Sequence, residues 1–338
     1  MELINTTFLT AGINVGTPDP MKQEYRAALI VAKATFKEVN AGVFMPDTDA
    51  PHPLYPTDQE TDFGVLPRDD FPKFDSGADV IVLGQAHAPG GKPCTSMTVS
   101  MQIGEATHYL KVFGNRIWEK SAQGLRISEA EPFLLMPMDY AHAYGGQAEY
   151  LQDDQFLTIF YPYNLTGKGF IREEDKAEGT PLPNIENPDA LISNWEDQPI
   201  PASWATLPLN TPIHGQRGID ASGAELYIKP QFYCRANPEL VLTRLNPEER
   251  IILHGMCPNT DFSFQIPNWK VSAFCQVGQQ SQRKTASPDT LVILPEERRF
   301  YLVYRFWFDF LFKPEVRRAV RLEVEQDPIS SNHEVDAV

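Results

Sequence analysis

The stretch Met97-Thr-Val-Ser-Met-Gln-Ile103 alternates apolar and polar side chains without interruption. Successive side chains of a β-strand point to opposite faces of the sheet, so this period of two predicts a strand with one buried face. A helix would instead repeat its apolar positions every three to four residues. The stretch therefore favours a sheet protein, and we tested the rest of the chain for the same pattern.

Short apolar runs of the same kind recur along most of the chain. They are rich in β-branched or aromatic residues and are separated by Gly, Pro, Asn or Asp, which is typical of antiparallel sandwiches. The sequence therefore predicts a mainly β protein with antiparallel, sandwich-like sheets and long proline-rich loops. The predicted strands are Leu29–Val39, Asp79–Gly84, His108–Phe113, Phe156–Tyr161, Leu240–Leu245, Arg250–His254, Phe262–Ile266, Val271–Val277, Thr290–Leu294 and Arg299–Phe308.

Two segments have a helical pattern. Met138–Tyr144 precedes Gly145-Gly146, which predicts one or two helical turns with a glycine stop. Pro314–Glu325 begins with a proline, which suits a first helical turn, and its apolar residues fall near helical spacing. The sequence therefore predicts a short C-terminal helix at Pro314–Glu325.

The chain has 338 residues, enough for one large domain or two moderate ones. A change from strand-rich to loop-rich sequence near residue 130 suggests two β-rich regions, 1–130 and 131–338, and a single continuous domain is the alternative. Two proline-rich segments, Pro46–Pro72 and Gly179–Pro212, read as long loops, of which the first is strongly acidic. Loops of this length are usually functional or mobile.

Charge and proline content exclude several classes of protein. With 29 Lys and Arg against 45 Asp and Glu, the formal net charge is −16, which disfavours binding to nucleic acid or to anionic membranes. The 29 prolines argue against a helical bundle. No secretory segment or apolar run of membrane-spanning length is evident, and the four cysteines form no CxxC pair. We therefore expect a cytoplasmic protein with reduced cysteines.

Positive charge is concentrated near the C-terminus, where Asp309 and Glu315 are the acidic residues of the segment. Two interpretations are open: these cations pair with the acidic loops of the same chain, or they form a docking surface for an acidic partner. The residues concerned are Arg298, Arg299, Arg305, Lys313, Arg317, Arg318 and Arg321.

The sequence contains no motif that specifies catalysis, a metal site or a cofactor. HExxH, GxSxG and the phosphate-binding loop are all missing, so we predict no enzyme. Two alternative functions remain open. The first is a hydrolase, which would use His142, in Asp139-Tyr-Ala-His142, or His87, with a nearby carboxylate. A sugar-binding β-sandwich module is suggested by the many Trp and Tyr residues.

Several motifs, taken in order, resemble a bacterial family known as a domain of unknown function. Its genes typically lie beside those of the type VI secretion spike protein VgrG and of PAAR-tip proteins. The resemblance spans roughly residues 25–295, with departures at His142 and Leu165-Thr166. The motifs are Asp79-Val-Ile-Val-Leu-Gly-Gln-Ala-His-Ala-Pro-Gly-Gly-Lys-Pro93, Leu110-Lys-Val-Phe-Gly-Asn-Arg-Ile-Trp118, Ala143-Tyr-Gly-Gly146, Asn164 with Gly167-Lys-Gly169, and Leu182-Pro-Asn-Ile-Glu-Asn-Pro188.

The resemblance implies an adaptor or chaperone that binds an effector toxin, or its PAAR region, and helps to load it onto the VgrG spike. Such a protein needs protein partners and no cofactor, and its partner contacts would be aromatic and charged side chains on loops. The oligomeric state is not specified. The candidate partner-binding residues are Arg116, Trp118, His142, Tyr144, Asn164, Lys168, Asn184, Glu186, Trp195 and Trp204.

Overall fold

The computed structural model describes residues 1–17, 24–55, 59–61, 64–66, 73, 77–152, 155–207, 217–219, 226–228, 233–258 and 261–326. In this part of the chain the protein is mainly β, and no helix reaches seven residues. The helical segments are single 3₁₀ turns at Pro89–Gly91, Tyr140–His142, Glu174–Lys176 and Pro238–Leu240. The mainly β, antiparallel fold class predicted from the sequence is confirmed.

The strands of the described residues are short, with two long exceptions near the two ends of the chain. In chain order they are β1 (Glu2–Ile4), β2 (Thr10–Gly16), β3 (Tyr25–Asn40), β4 (Val43–Pro46), β5 (Gln59–Thr61), β6 (Gly64–Leu66), β7 (Ala78–Val82), β8 (Gln85–His87), β9 (Ser96–Ile103), β10 (Ala106–Phe113), β11 (Trp118–Ser121), β12 (Gly124–Ile127), β13 (Leu135–Pro137), β14 (Tyr144–Gly145), β15 (Gln147–Gln152), β16 (Gln155–Phe160), β17 (Lys168–Gly169), β18 (Ile185–Glu186), β19 (Arg217–Ile219), β20 (Leu226–Ile228), β21 (Val241–Leu242), β22 (Arg250–His254), β23 (Phe262–Gln265), β24 (Trp269–Val277), β25 (Gln280–Ala286), β26 (Thr290–Leu294), β27 (Arg299–Leu311) and β28 (Arg318–Gln326).

The largest sheet has the strand order β2-β3-β27-β26-β7-β21, with β4 paired to the other end of β3. Its centre is the antiparallel pair of the two long strands, in register from Tyr25 opposite Leu311 to Lys37 opposite Arg299. Every residue from Ala27 to Phe36 is buried. This strand is apolar on both faces because both are covered, as in the interior strands of layered sheets.

A second sheet has the order β18-β10-β9-β22-β23 and contains the alternating stretch from which the fold was predicted. Met97, Val99, Met101 and Ile103 are buried, whereas Thr98 is exposed. The pattern of period two therefore predicts correctly which side chains of β9 lie on the buried face of this sheet.

A third sheet, β1-β28-β24-β25, includes the segment for which a helix was predicted. The prediction of a C-terminal helix at Pro314–Glu325 is wrong, because Arg318–Gln326 is a strand paired along its full length with β24. Val320 and Leu322 are buried two positions apart, so the period that matters is two. Helical spacing was a local coincidence, and pairing with a distant strand overrides it.

The segment Met138–Tyr144 forms one 3₁₀ turn at Tyr140–His142 and is otherwise extended. The Asp139 carboxylate accepts a hydrogen bond from the His142 backbone N–H and caps this turn. Of the one or two helical turns predicted here, the structure has one, and it ends at Ala143, before the glycines.

The two predicted loops are partly described. In the first, Asp47 is buried and pairs with Lys37 and Arg299, at 3.0 and 2.9 Å; Asp58, Asp62, Asp69 and Asp70 lie outside the described residues. In the second, Pro201 to Leu207 are all buried, whereas residues 208–212 lie outside the described part. Residues 182–186 and 201–207 of this second segment are therefore packed in the body, whereas residues 188–191 are exposed.

Five of the C-terminal cations pair with carboxylates of described residues, among them Arg317 with Glu2 and Arg321 with Glu323 at exposed positions. Arg299 meets Asp47 of the acidic loop, Arg298 meets Glu38, and Arg305 meets Asp289. The intramolecular interpretation of the basic segment is thus confirmed for Arg299, the cation that contacts an acidic loop.

Two hydrophobic cores support the sheets. The larger lies among the three main sheets and draws residues from Leu9 to Leu322. Strands before residue 130 pair with strands after residue 240, as β3 does with β27 and β9 with β22. The smaller core is built from Trp118, Tyr144, Tyr161, Phe170, Ile171, Ala177, Leu182 and Ile192.

None of the helical turns in the described part of the chain has the length and apolar character needed to cross a membrane. Cys94, Cys257 and Cys275 are free thiols, and Cys234, Cys257 and Cys275 are buried.

Candidate functional site

The structure brings most of the predicted partner-binding residues together around the smaller core, but it buries the majority of them. Those that are half-buried and reach the surface are His142, Lys168 and Trp195. Trp204 lies apart, in the larger core. The buried residues are Arg116, Trp118, Tyr144, Asn164, Asn184, Glu186 and Trp204.

Arg116 and Glu186 form a buried ion pair beneath this surface. The Arg116 guanidinium also lies over the Phe113 ring, 3.7 Å from its centroid, and donates a hydrogen bond to the Pro183 carbonyl at 2.8 Å. The second carboxylate oxygen of Glu186 accepts the Ile192 backbone N–H at 2.7 Å. Because both charges are matched and hydrogen-bonded, the pair fixes the loop after β10 against β18.

Asn184 extends this connection to the 3₁₀ turn. Its side-chain amide donates to the Phe113 carbonyl at 3.1 Å, and its backbone N–H donates to the His142 carbonyl at 2.8 Å. The side chain is fully buried. Asn184 therefore links β10 to the segment that carries His142.

Asn164 connects two further segments across a close backbone crossing. Its side-chain amide donates to the carbonyls of Tyr140 and Tyr144, at 2.7 and 3.0 Å. At Gly145 a Cβ atom would collide with the Asn164 carbonyl, and at Gly146 it would collide with the Gly167 carbonyl. Glycine is required at these positions because no side chain fits between the crossing backbones.

A polar cluster of Asp139, His142 and Lys168 lies on the outer side of this crossing. The His142 Nδ1 atom is 2.6 Å from Asp139 Oδ1. Burial acts to raise the pKa of the Asp139 carboxyl, but the hydrogen bond and charge of His142 outweigh it and the pKa is lowered. Burial also lowers the pKa of Lys168. The cluster can accept and donate protons.

A second histidine–carboxylate pair is formed by His87 and Glu296, of which His87 lines a separate cavity of about 390 Å³. His87 Nε2 is 3.4 Å from Glu296 Oε1, and burial raises the pKa of the Glu296 carboxyl. Cys257 lines the same cavity, and burial raises the pKa of its thiol to about 11. At neutral pH this thiol is protonated, which is unlike the thiolate of a reactive cysteine.

Sequence reasoning missed an exposed apolar feature near these residues. Strands β15 and β16 form a two-stranded hairpin that leaves Leu151, Leu157 and Phe160 exposed at 55%, 37% and 48%. Its inner side packs on the smaller core through Ala148 and Ile159. The second strand was predicted, but β15 was not, because Glu149 and Gln152 interrupt its apolar character.

A groove of about 570 Å³ lies beside this hairpin. One wall is β15 and the other is the chain from Phe170 to Lys176. Phe170 and Ile171 are buried at its base, and acidic side chains from both walls line it. Across the described residues, no three His, Cys, Asp or Glu side chains converge in a way that could hold a metal ion.

These features define a β-sheet protein with two parts of note. One is a loop cluster held together by buried hydrogen bonds and an ion pair, and the other is a hairpin with exposed apolar side chains. The chain belongs to the family of uncharacterized proteins conserved in bacteria that is designated DUF2169, whose profile matches residues 23–305. Comparison with curated proteins and with solved structures finds no match.

Proposed function

We propose that this protein is a cytoplasmic adaptor or chaperone of type VI secretion. It binds an effector toxin, or the PAAR-bearing region of one, and assists its loading onto the VgrG spike. The motif resemblance described above suggests the biological setting. The structural observation that carries a protein-binding role is the apolar hairpin β15–β16.

A two-stranded hairpin is marginally stable in water by itself, and it gains stability when its faces are covered. Here one side rests on the smaller core, while Leu151 and Phe160 face solvent. Exposed apolar side chains grouped on one element are typical of protein-binding surfaces. The hairpin is therefore the surface that we assign to the cargo.

The buried polar contacts give this surface a rigid base. The Arg116–Glu186 pair and the Asn164 hydrogen bonds hold the segments from which the hairpin emerges. A preformed surface loses less conformational entropy on binding than a mobile one. In this proposal, most of the predicted partner-binding residues lie beneath the binding surface and hold its segments in place.

The test is co-expression of the tagged protein with the spike, PAAR and toxin proteins encoded by its neighbouring genes, followed by affinity purification. We expect co-purification of at least one of them with the wild-type protein. The double variant Leu151→Ser with Phe160→Ser should lose most of the bound protein, because both changes remove apolar area from the interface.

The matched control is Val15→Ser with Leu311→Ser, which replaces two apolar residues of similar exposure, 41% and 48%, on another sheet. This control should retain binding. Recovery of none of the three proteins, together with intact toxin secretion in a deletion strain, would contradict the adaptor function. If both double variants lost the same amount of bound protein, the hairpin would not be the surface that binds the cargo.

The pair His87–Glu296, whose histidine lines a cavity, motivates a hydrolase as a second candidate function. Loss of toxin delivery on replacement of His87 and His142 by alanine, with folding and cargo binding intact, would favour it. A sugar-binding module has less support, since Trp118 and Trp204 are buried and offer no stacking face.

A further inference from the structure

The groove beside the hairpin begins where two chain segments separate. Strands β14 and β17 run parallel, with Gly145 opposite Gly169, and the Phe170 N–H then donates to the Gly145 carbonyl at 3.0 Å. Beyond this bond, β15 follows one wall and residues 171–176 follow the other. The groove is therefore an opening next to the edge of a strand.

The alternation of hydrogen-bonded and non-hydrogen-bonded residue pairs in the hairpin shows which backbone groups face this groove. The Tyr161 N–H donates to the Gly146 carbonyl at 2.8 Å, in the same register as β15 with β16. Hydrogen-bonded and non-bonded pairs alternate in an antiparallel ladder. The N–H and C=O groups of Gln147, Glu149 and Leu151 consequently point away from β16.

These three residues line the groove, and their outward backbone groups make no hydrogen bond to any residue that the structure describes. β15 is paired with β16 alone within the described part of the chain. Such an edge is a template for an added strand, because an extended chain completes its hydrogen bonds.

The side chains around the groove indicate the chemistry of that added strand. Glu149, Glu173 and Asp175 supply three carboxylates, and none of them forms an ion pair with a described residue. Two cations also line the groove, Arg172, which lies over the Tyr150 ring at 5.9 Å, and Lys176. The charged side chains that line the groove therefore sum to one excess negative charge. The whole chain has a formal net charge of −16. Lysine or arginine in the added strand would complement it.

We infer that this groove binds an extended, basic segment of a partner protein as a third strand on the free edge of β15. Apolar side chains of the segment pack towards Phe170 and Ile171, and its basic side chains meet the carboxylates of the two walls. This inference rests on the proposed adaptor function and names the class of segment that the adaptor recognises.

The probe is a fluorescein-labelled peptide of alternating lysine and valine, titrated against the full-length protein at low ionic strength and followed by fluorescence anisotropy. We expect saturable binding, with slowed amide hydrogen exchange at Glu149 and Leu151. A peptide of the same sequence with alternate backbone nitrogens methylated should bind about tenfold more weakly or worse, because it loses strand hydrogen bonds. Equal binding of the two peptides would overturn strand addition.

The protein variant is Glu149→Lys with Glu173→Lys, which should weaken binding of the unmodified peptide about tenfold. Its control, Glu105→Lys with Glu315→Lys, makes the same change in net charge at exposed sites outside the groove and should bind as the wild type does. Equal weakening in both variants would show that only the overall charge attracts the peptide, and would overturn the site.

This outcome is separable from that of the proposed function. Peptide binding in the groove without recovery of any spike, PAAR or toxin protein would refute the adaptor and leave the groove in place. Recovery of those proteins by the Glu149→Lys, Glu173→Lys variant at wild-type level would refute the groove and leave the adaptor in place.

Discussion

Arg116 and Glu186 stand 70 positions apart in the sequence and form a buried ion pair. Glu186 lies opposite Lys111 in the pairing of β10 with β18, so the ion pair closes a loop that starts and ends on neighbouring strands. The pair fixes the position of the chain that leads from β10 into the smaller core. Its contribution to stability is the first quantity to measure.

Replacement of Arg116 by methionine should destabilise the protein by about 3–5 kcal/mol, because it leaves the buried Glu186 carboxylate without its cation. The measurement is urea unfolding at neutral pH. The double variant Arg116→Met with Glu186→Leu should be less destabilised than the sum of the single variants, since no unpaired charge then remains.

Arg126→Met is the matched control for this experiment. Arg126 pairs with Glu119 at 3.0 Å on the surface, with side chains 67% and 37% exposed. Its loss should cost less than about 1 kcal/mol. If Arg116→Met costs no more than Arg126→Met, the buried pair does not hold the loop.

A second prediction concerns the glycine crossing. Gly146 has φ = 94°, and a Cβ there would collide with the Gly167 carbonyl, whereas Gly124 has φ = 111° with open space around it. Alanine at Gly124 should cost roughly 1–3 kcal/mol for its backbone conformation alone. Alanine at Gly146 should cost clearly more in the same unfolding assay, since two backbones must separate. Equal costs would mean that the crossing relaxes freely.

The strands that the sequence predicted correctly are those whose apolar pattern matches the way in which the faces of their sheet are covered. Met97–Ile103 reads as a strand because its alternation coincides with a sheet that has one inner face. The segment Pro314–Glu325 failed because its residues satisfy two periods, and the choice between them is made by β24, about 50 positions earlier in the chain. Local spacing contains no information about that partner.

The motifs around Arg116, Asn164 and Asn184, which the sequence marks as candidates for partner binding, lie close together in the structure. Their role in binding stays a prediction. Their burial was not predicted, because a polar residue in a loop carries the same sequence signal whether it contacts solvent or a distant carbonyl. The edge of β15 was missed for the related reason that an unpaired edge depends on what lies beside it.

A third prediction follows from Asp47, which joins the first acidic loop to Lys37 and Arg299. Burial acts to raise the pKa of its carboxyl, but the hydrogen bond from Lys37 and the two cations lower it overall. The folded protein thus favours the ionised form, and this stabilisation exists above the carboxyl's ordinary pKa and is lost as pH falls through the lowered one. Asp47→Asn should be less stable than the wild type at neutral pH.

The measurement for Asp47 is urea unfolding of both proteins at neutral pH and near pH 3, where carboxyls in unfolded chains are protonated, about a unit below their ordinary pKa. The gap between the two proteins should narrow on acidification. A gap that is independent of pH would assign the effect of the substitution to packing rather than to charge.

The fourth prediction uses two adjacent carboxyls with opposite behaviour, Glu296 and Glu297. Burial raises the pKa of Glu296, whereas the neighbouring His52 imidazole, whose Nε2 lies 3.8 Å from the carboxylate, is the main cause that lowers the pKa of Glu297. Above its ordinary pKa, ionised Glu296 therefore costs stability, and that cost disappears as pH falls towards the unfolded value. For Glu297 the sign is reversed: ionisation stabilises the fold, and the gain is lost on acidification.

Glu296→Gln removes the buried charge and keeps an amide oxygen for the Gln85 N–H, which now donates to Glu296 at 2.7 Å. Its Tm at neutral pH should equal or exceed that of the wild type, and Glu297→Gln should lower the Tm under the same conditions. The Glu296 difference should shrink as pH falls towards about 4, where the carboxyl takes up its proton in the unfolded chain, and the Glu297 difference should shrink only at lower pH, as its lowered pKa is passed. A lower Tm for Glu296→Gln at neutral pH would show that the charge of His87 compensates the buried carboxylate fully, so that the pair acts as a structural ion pair.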